Sequence, residues 1–169
     1  MNRCAALAAT VVLLLGATGC ANSKTKREVL VDPVAKSWEV EFPGDVTTDA
    51  SAPNVVVYSA RYGRDYYGVV DATVGAGLVV NLDNDANNAI NSSRDALGAV
   101  ATDRVIRPIT INGYEGRRFT AELASGNNSA TLTGVTLERD GHVLTAIITD
   151  GLSNSSDDVE RFIDSFVIH

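Results

Sequence analysis

Few side chains in this sequence have the chemistry of a reactive centre. The only histidines are His142 and His169, and the only cysteines are Cys4 and Cys20. A zinc site needs several His or Cys ligands, which this set cannot supply. A Ser-His-Asp arrangement would have to use His142, which follows an Asp140-Gly141 turn. A general base also needs a partner to orient it and a wall that excludes water, so a solvated hairpin histidine is the simpler reading. Asp83-Asn84-Asp85-Ala86-Asn87 opens like a calcium loop, but Asn88 stands where that loop needs Gly and Arg94 where it needs a bidentate Glu. Capping of a helix by Asp83 or Asp85 explains those acids without a metal. Gly75-Ala76-Gly77 lacks the third glycine of a dinucleotide loop. The expectation is therefore a protein with no catalytic residue, no metal ligand and no cofactor.

Two sets of side chains suit recognition better than catalysis. Arg61, Arg64, Arg104, Arg107, Arg117 and Arg118 would hold a phosphate or carboxylate if strand ends gathered them; solvated strand faces account for them equally well. Tyr58, Tyr62, Tyr66, Tyr67 and Tyr114 read as core rings with hydroxyls at the surface, and whether Tyr58, Tyr62 and Tyr66 share a face depends on the hairpin loop. The N-x-[ST] triplets at Asn91, Asn127 and Asn154 read as polar loops and a helix face. The net charge of −7 argues against nucleic acid, whose binding requires a basic patch, and against adhesion to anionic lipid by charge.

Cys20 is the one thiol with a distinctive setting. Arg3 precedes an apolar and small-residue run from Cys4 to Gly16, and Ala17-Thr18-Gly19 leads into the cysteine. This is the pattern of a secretory signal peptide, and the run is shorter than the roughly 20 apolar residues of a membrane-spanning helix. Leu15-Gly16-Ala17-Thr18-Gly19-Cys20 resembles the lipobox of bacterial lipoproteins, with Ala17 where that family usually has Leu. The resemblance implies cleavage after residue 19 and a diacylglyceryl group on the Cys20 sulfur. Two or more acyl chains hold a protein stably, where one does so only marginally. An ordinary signal peptide cut near Ala21, releasing the protein, is the alternative. Cys4 leaves with the signal, so the mature chain has no disulfide and its core alone must hold it.

Residues 20–36 are polar and basic around Lys24, Lys26 and Arg27 and predict a lipidated flexible tether. A single domain is expected over 37–169. Trp38, Val40 and Phe42 alternate with Glu39 and Glu41 as a half-buried strand, stopped by Pro43-Gly44. Val55–Tyr62 and Tyr66–Val74 read as a hairpin around Gly63-Arg64-Asp65. From Asp85, the spacing of Ala86, Ala89, Ile90, Ser93, Leu97 and Val100 predicts an amphipathic helix with a stripe of small residues. Four strands follow, Val105–Asn112, Tyr114–Leu123, Ala130–Arg139 and Val143–Thr149, with Asn112-Gly113 and Asp140-Gly141 favouring tight hairpins. Ser155 to Asp158 offers a cap and acidic first turn for a last helix carrying Val159, Phe162, Ile163 and Phe166 on one face. Three strands, a helix, four strands and a helix favour α+β with an antiparallel sheet of six or seven strands and two main helices.

Phe42-Pro43-Gly44, the Tyr66-Tyr67 strand leading into a central helix, Gly113-Tyr114-Glu115-Gly116, and the closing Phe162-Ile163-Asp164-Ser165-Phe166 together resemble the Mog1/PsbP-like domain as it occurs in bacterial lipoproteins. The resemblance spans roughly residues 37 to 168. It implies an antiparallel sheet packed between helices and a role in binding or assembly, with no family-wide catalytic residue to carry over.

The sequence thus predicts an exported bacterial lipoprotein, anchored through Cys20 to the outer face of the cell membrane or to the outer membrane. It would act as a non-catalytic module for a protein partner or an envelope ligand. Two alternatives remain: a carrier of an apolar envelope lipid, with a cavity between the 86–100 helix and the sheet, and a small envelope hydrolase using His142.

Overall fold

Two tight turns organise the larger sheet of the computed structural model, which describes residues 27–32, 36–50, 52–75, 78–151 and 156–169. Asn112 and Gly113 have φ of 49° and 90°, and Asp140 and Gly141 of 51° and 80°, the paired positive angles that match the twist of a two-residue hairpin. They fold β6 (Val100–Ile111) onto β7 (Tyr114–Ser125) and β8 (Asn128–Arg139) onto β9 (His142–Asp150). With β3 (Thr47–Asp49), β4 (Val55–Tyr62) and β5 (Asp65–Thr73), they form a seven-stranded antiparallel sheet of order β3-β4-β5-β9-β8-β7-β6. The expected antiparallel α+β architecture with two helices is the one observed.

The sheet has two buried faces. One packs Val70, Phe119, Leu123, Leu132 and Ile147 against Ala86 and Ile90 of α1 (Leu82–Leu97). The other packs Tyr67, Val69, Leu137, Leu144 and Ile148 against α2 (Ser156–Asp164) and a second sheet of three strands, β1 (Glu28–Val31), β2 (Trp38–Phe42) and β10 (Val167–Ile168), ordered β1-β2-β10. Phe162 stacks edge-on to both Phe42 and Tyr67, at 5.5 and 5.2 Å between ring centroids. Consecutive residues of β7 face opposite ways, and Arg117 and Arg118 use this. Arg117 Nε reaches Asp83 Oδ1 of α1 at 2.8 Å, and Arg118 Nη2 reaches Glu160 Oε1 of α2 at 2.6 Å.

Several expectations are corrected. The ordered part begins before Trp38: β1 lies within the stretch whose composition predicts a tether, because Glu28 to Val31 gain a full ladder with Phe42 to Glu39. Arg27 is fixed as well, 2.9 Å from Asp158 and 3.4 Å from Glu41. Strands β3 and β10 were not expected. The helix starts at Leu82 and its cap is Asn81, whose side chain accepts from Asn84 N at 3.0 Å, so neither Asp83 nor Asp85 is the cap. Val100 belongs to β6 and is exposed, the helix having ended at Gly98 in the left-handed region, φ 56°. Asn91 lies within α1 and Asn127 in the β7–β8 turn. Cys20 and the signal segment, Ala76, Gly77, Asn154 and Ser155 lie outside the described residues.

Gly134 faces Phe119 across the β7–β8 ladder. A Cβ there would enter the Phe119 ring and stand 2.8 Å from the Ala146 carbonyl oxygen. Gly134→Ala should therefore cost about 1–3 kcal/mol through overpacking, read as a lower urea midpoint with an unchanged slope.

Asp65 is fully buried at the start of β5 and accepts from Gly151 N at 2.9 Å. Burial, outweighing that hydrogen bond, and the neighbouring Asp150 raise its pKa. A carboxyl that binds its proton more tightly when folded gives stability that is lost as pH climbs from the ordinary carboxylate range through the raised value. Asp65→Asn should melt above the wild type at neutral pH, with the gap closing as the pH approaches the ordinary carboxylate range.

Candidate functional site

Charge in an apolar strand marks the site. Asp71 sits in the middle of Val69-Val70-Asp71-Ala72-Thr73 on β5, directly opposite Val56 of β4 and Leu144 of β9. A carboxylate there must find donors, because burying it unpaired is very costly. It has two. Trp38 Nε1 donates to Oδ2 at 3.3 Å, and His142 Nδ1 meets Oδ1 at 2.7 Å. His142 reaches Asp71 diagonally: it is paired with Thr73, two residues along the same face of the neighbouring strand.

The His142 reading is corrected by this geometry. It is a hairpin residue with its side chain 45% exposed, yet it has the orienting carboxylate that the solvated reading lacked, and the Asp71 side chain is only 15% exposed. An ionised carboxylate only accepts, so the contact favours the proton on Nδ1. Nε2 then has no hydrogen bond to any described residue.

These groups line an open cavity of about 650 Å³. It is lined by Val56, Tyr58, Asp71, Leu144 and His142 of the main sheet, by Ala50, Ala52, Pro53 and Asn54, and by Asp32 with Ser37. Asp32 Oδ2 accepts from Ser37 Oγ at 2.7 Å and Ser37 N at 3.2 Å. The Ser37 carbonyl accepts from Arg139 Nη1 at 2.8 Å and from His169 N at 2.9 Å. Tyr58 stacks edge-on to Trp38 at 5.2 Å. Burial first, then the charges of Asp71 and Asp32, hold its hydroxyl above the ordinary tyrosine range, so it stays protonated.

The arginines flagged from the sequence do not gather. Arg117 and Arg118 point to opposite faces, Arg61 lies over the Tyr66 ring at 5.8 Å, and Arg64 is beside Gly151 at the far end of β5. Arg104 falls in the irregularity of β6, and Arg107 faces Arg118 across the ladder. The tyrosines also divide: Tyr58 and Tyr67 face the small sheet, and Tyr66 faces α1. Asp83 to Asn88 are helical, which rules out a calcium loop there. Among the described residues, no three His, Cys, Asp or Glu side chains are arranged to hold a metal, and no helix is long and apolar enough to cross a membrane.

Asp71 and Asp32 were missed in the sequence. The legible signal for Asp71 was an ionisable residue inside an otherwise apolar strand. Asp32 gave none, lying in what reads as tether. Removing the Asp71 carboxylate should free both Trp38 and His142. Asp71→Ala is expected to lower stability by about 1–3 kcal/mol by leaving the Trp38 N–H without its acceptor, and to red-shift the emission of Trp38, the only tryptophan. Asp71→Asn should lose less.

No protein-family model matches the chain, and no curated protein matches it. Among solved structures, it is similar to the cyanobacterial PsbP protein CyanoP of Synechocystis sp. PCC 6803, with a TM-score of 0.58, 15% identity, and coverage of 92% of this chain and 99% of that one. Weaker likenesses are to a putative regulator of unknown function from Pseudomonas aeruginosa (TM-score 0.40, 15% identity, 75% of this chain and 84% of that one), and to LpqN, involved in cell envelope biogenesis of Mycobacterium tuberculosis (0.36, 11%, 87% and 86%). At these identities the first likeness speaks to architecture alone: the chain has an antiparallel α+β fold of the PsbP type.

Proposed function

We propose that this chain is a non-catalytic binding module of the bacterial envelope, anchored by acyl chains on Cys20, with the cavity over Asp71 as its ligand site. The observation that carries the reading is the cavity itself. It is large enough for a small molecule or a partner's side chains, and strands β5, β8 and β9 supply Asp71, Arg139 and His142 to its lining. Among the described residues the serine in its wall, Ser37, has its hydroxyl bound to Asp32 and not to His142, so these residues do not form the serine–base contact that activates a hydroxyl for acyl transfer.

The Asp71–His142 contact favours a second reading, a hydrolase in which Nε2 acts as base on a bound water. The lipid-carrier reading has less support, because Ala86 and Ile90 of α1 are fully buried against the sheet and the cavity is on the opposite face.

Two measurements separate these readings. In a bacterial host fed an alkyne fatty acid, Cys20→Ala should abolish acyl labelling and accumulate unprocessed precursor; a variant that is cut and released like the wild type would end the lipoprotein reading. The full chain should hydrolyse p-nitrophenyl esters at the buffer rate. Turnover above that rate, lost in His142→Ala, would establish the hydrolase instead.

A further inference from the structure

The chain pairs most of its arginines with carboxylates. Arg27, Arg94, Arg117, Arg118, Arg139 and Arg161 each meet one within 3.4 Å. Arg107 on β6 does not. It is exposed, its side chain has no ion pair or hydrogen bond among the described residues, and its direct neighbour across the ladder is Arg118. Like charges directly opposite one another on a sheet are destabilising, and Glu160 offsets only one of the two.

Arg118 supplies an independent pointer to a missing acceptor. Its side chain is 15% exposed, and although Nη2 donates to Glu160, its Nε–H is buried with no acceptor among the described residues. Buried donors are normally satisfied, and one left unmade on a charged group is especially costly. A solvated arginine guarding a sheet edge would account for Arg107 but not for this N–H. Cβ atoms of directly opposite residues are about 5 Å apart, close enough for one carboxylate to serve both guanidiniums. The surroundings suit a protein as its bearer. Alternation places Val105 on the face of Arg107, and the pairing of Val100 with Ala124 puts that valine there too. These valines are 53% and 65% exposed, on an edge strand of the sheet. Arginine beside apolar side chains is what protein interfaces favour. Strand addition is not the mode, because Pro108 has no N–H to offer and the irregularity between Thr102 and Val105 interrupts the edge.

We propose that the face of β6 carrying Arg107 docks an acidic segment of a protein partner, with one carboxylate seated between Arg107 and Arg118 and an apolar side chain on Val105. The charge complementarity is specific to this place, since the chain as a whole is acidic, with a net charge of −7. An arginine fork holds a carboxylate by charge-assisted hydrogen bonds, about twice as strong as neutral ones. The surface is four strands from Asp71 in the sheet order and does not depend on the reading of the cavity.

The test titrates acetyl-Leu-Glu-Leu-amide, acetyl-Leu-Gln-Leu-amide and inorganic phosphate into the full chain in non-ionic micelles at fixed ionic strength. Arginine Nε–H resonances report binding by NMR. The Glu peptide should bind about tenfold or more tightly than the Gln peptide, the equivalent of one charge-assisted hydrogen bond, and should move the Arg118 Nε–H. Arg107→Gln should remove the preference; Arg64→Gln, the same charge change in the β4–β5 turn, should keep it. Equal binding of the two peptides, binding of neither, or a preference that survives Arg107→Gln would overturn the proposal. Tighter binding of phosphate than of the Glu peptide, or self-association in sedimentation that Arg107→Gln abolishes, would overturn it by giving the pair another occupant. Trp38, which reports on the cavity through Asp71, should not respond. The comparison of peptides on the wild-type chain needs no variant to fold.

Discussion

The architecture around the cavity depends on how one carboxylate is satisfied. Asp71 occupies a sheet position whose cross-strand neighbours are Val56 and Leu144, and it stays there only because the indole of Trp38 and the imidazole of His142 both reach it. Each donor belongs to a different layer. Trp38 opens β2 and brings the small sheet down onto the main one; His142 opens β9 and closes the hairpin whose other side carries Arg139. The same charge therefore ties the two sheets together and fixes the side chain at the cavity mouth. A buried ion of this kind is weak evidence for net stability, but losing one of its partners is costly.

The layers are held by a simple property of strands. Successive residues on β7 point to opposite faces, so Arg117 secures α1 and Arg118 secures α2. The apolar residues follow the same alternation, with Phe119, Ala121 and Leu123 directed to α1. The helix α2 is only nine residues long, and α1 carries only Ala86, Ile90 and Ser93 as buried contacts. Most of the stabilising burial comes from the sheet and the aromatic group of Trp38, Phe42, Phe162 and Phe166.

Local chemistry was legible in the sequence, and non-local pairing was not. Asn112-Gly113 and Asp140-Gly141 announced their turns because positive φ is written into those residue types. The hairpin of β4 and β5, the central helix and the last helix were readable from their periods. What escaped detection is short or polar and forms only against a partner. Glu28 to Val31 looks like tether until β2 lies beside it, Thr47 to Asp49 is exposed throughout, and Val167-Ile168 is two residues that continue past α2 to pair with Glu39 and Trp38. The site divides the same way. His142 was visible as a lone histidine, but the carboxylate that orients it is 71 residues away in sequence, and no local pattern connects the two.

The small sheet has a mechanical consequence. Its central strand, β2, is flanked by the first described strand on one side and the last on the other, so both ends of the described chain are fastened to it. A force applied through the residues before Arg27 would first load the four residue pairs between β1 and β2, and only then reach Trp38 and, through its indole, Asp71. The small sheet is in series with the cavity floor, and a second path runs from Arg27 through Asp158 to α2. Tension on the N-terminal side would thus be felt at the cavity over Asp71 before it threatened the main core.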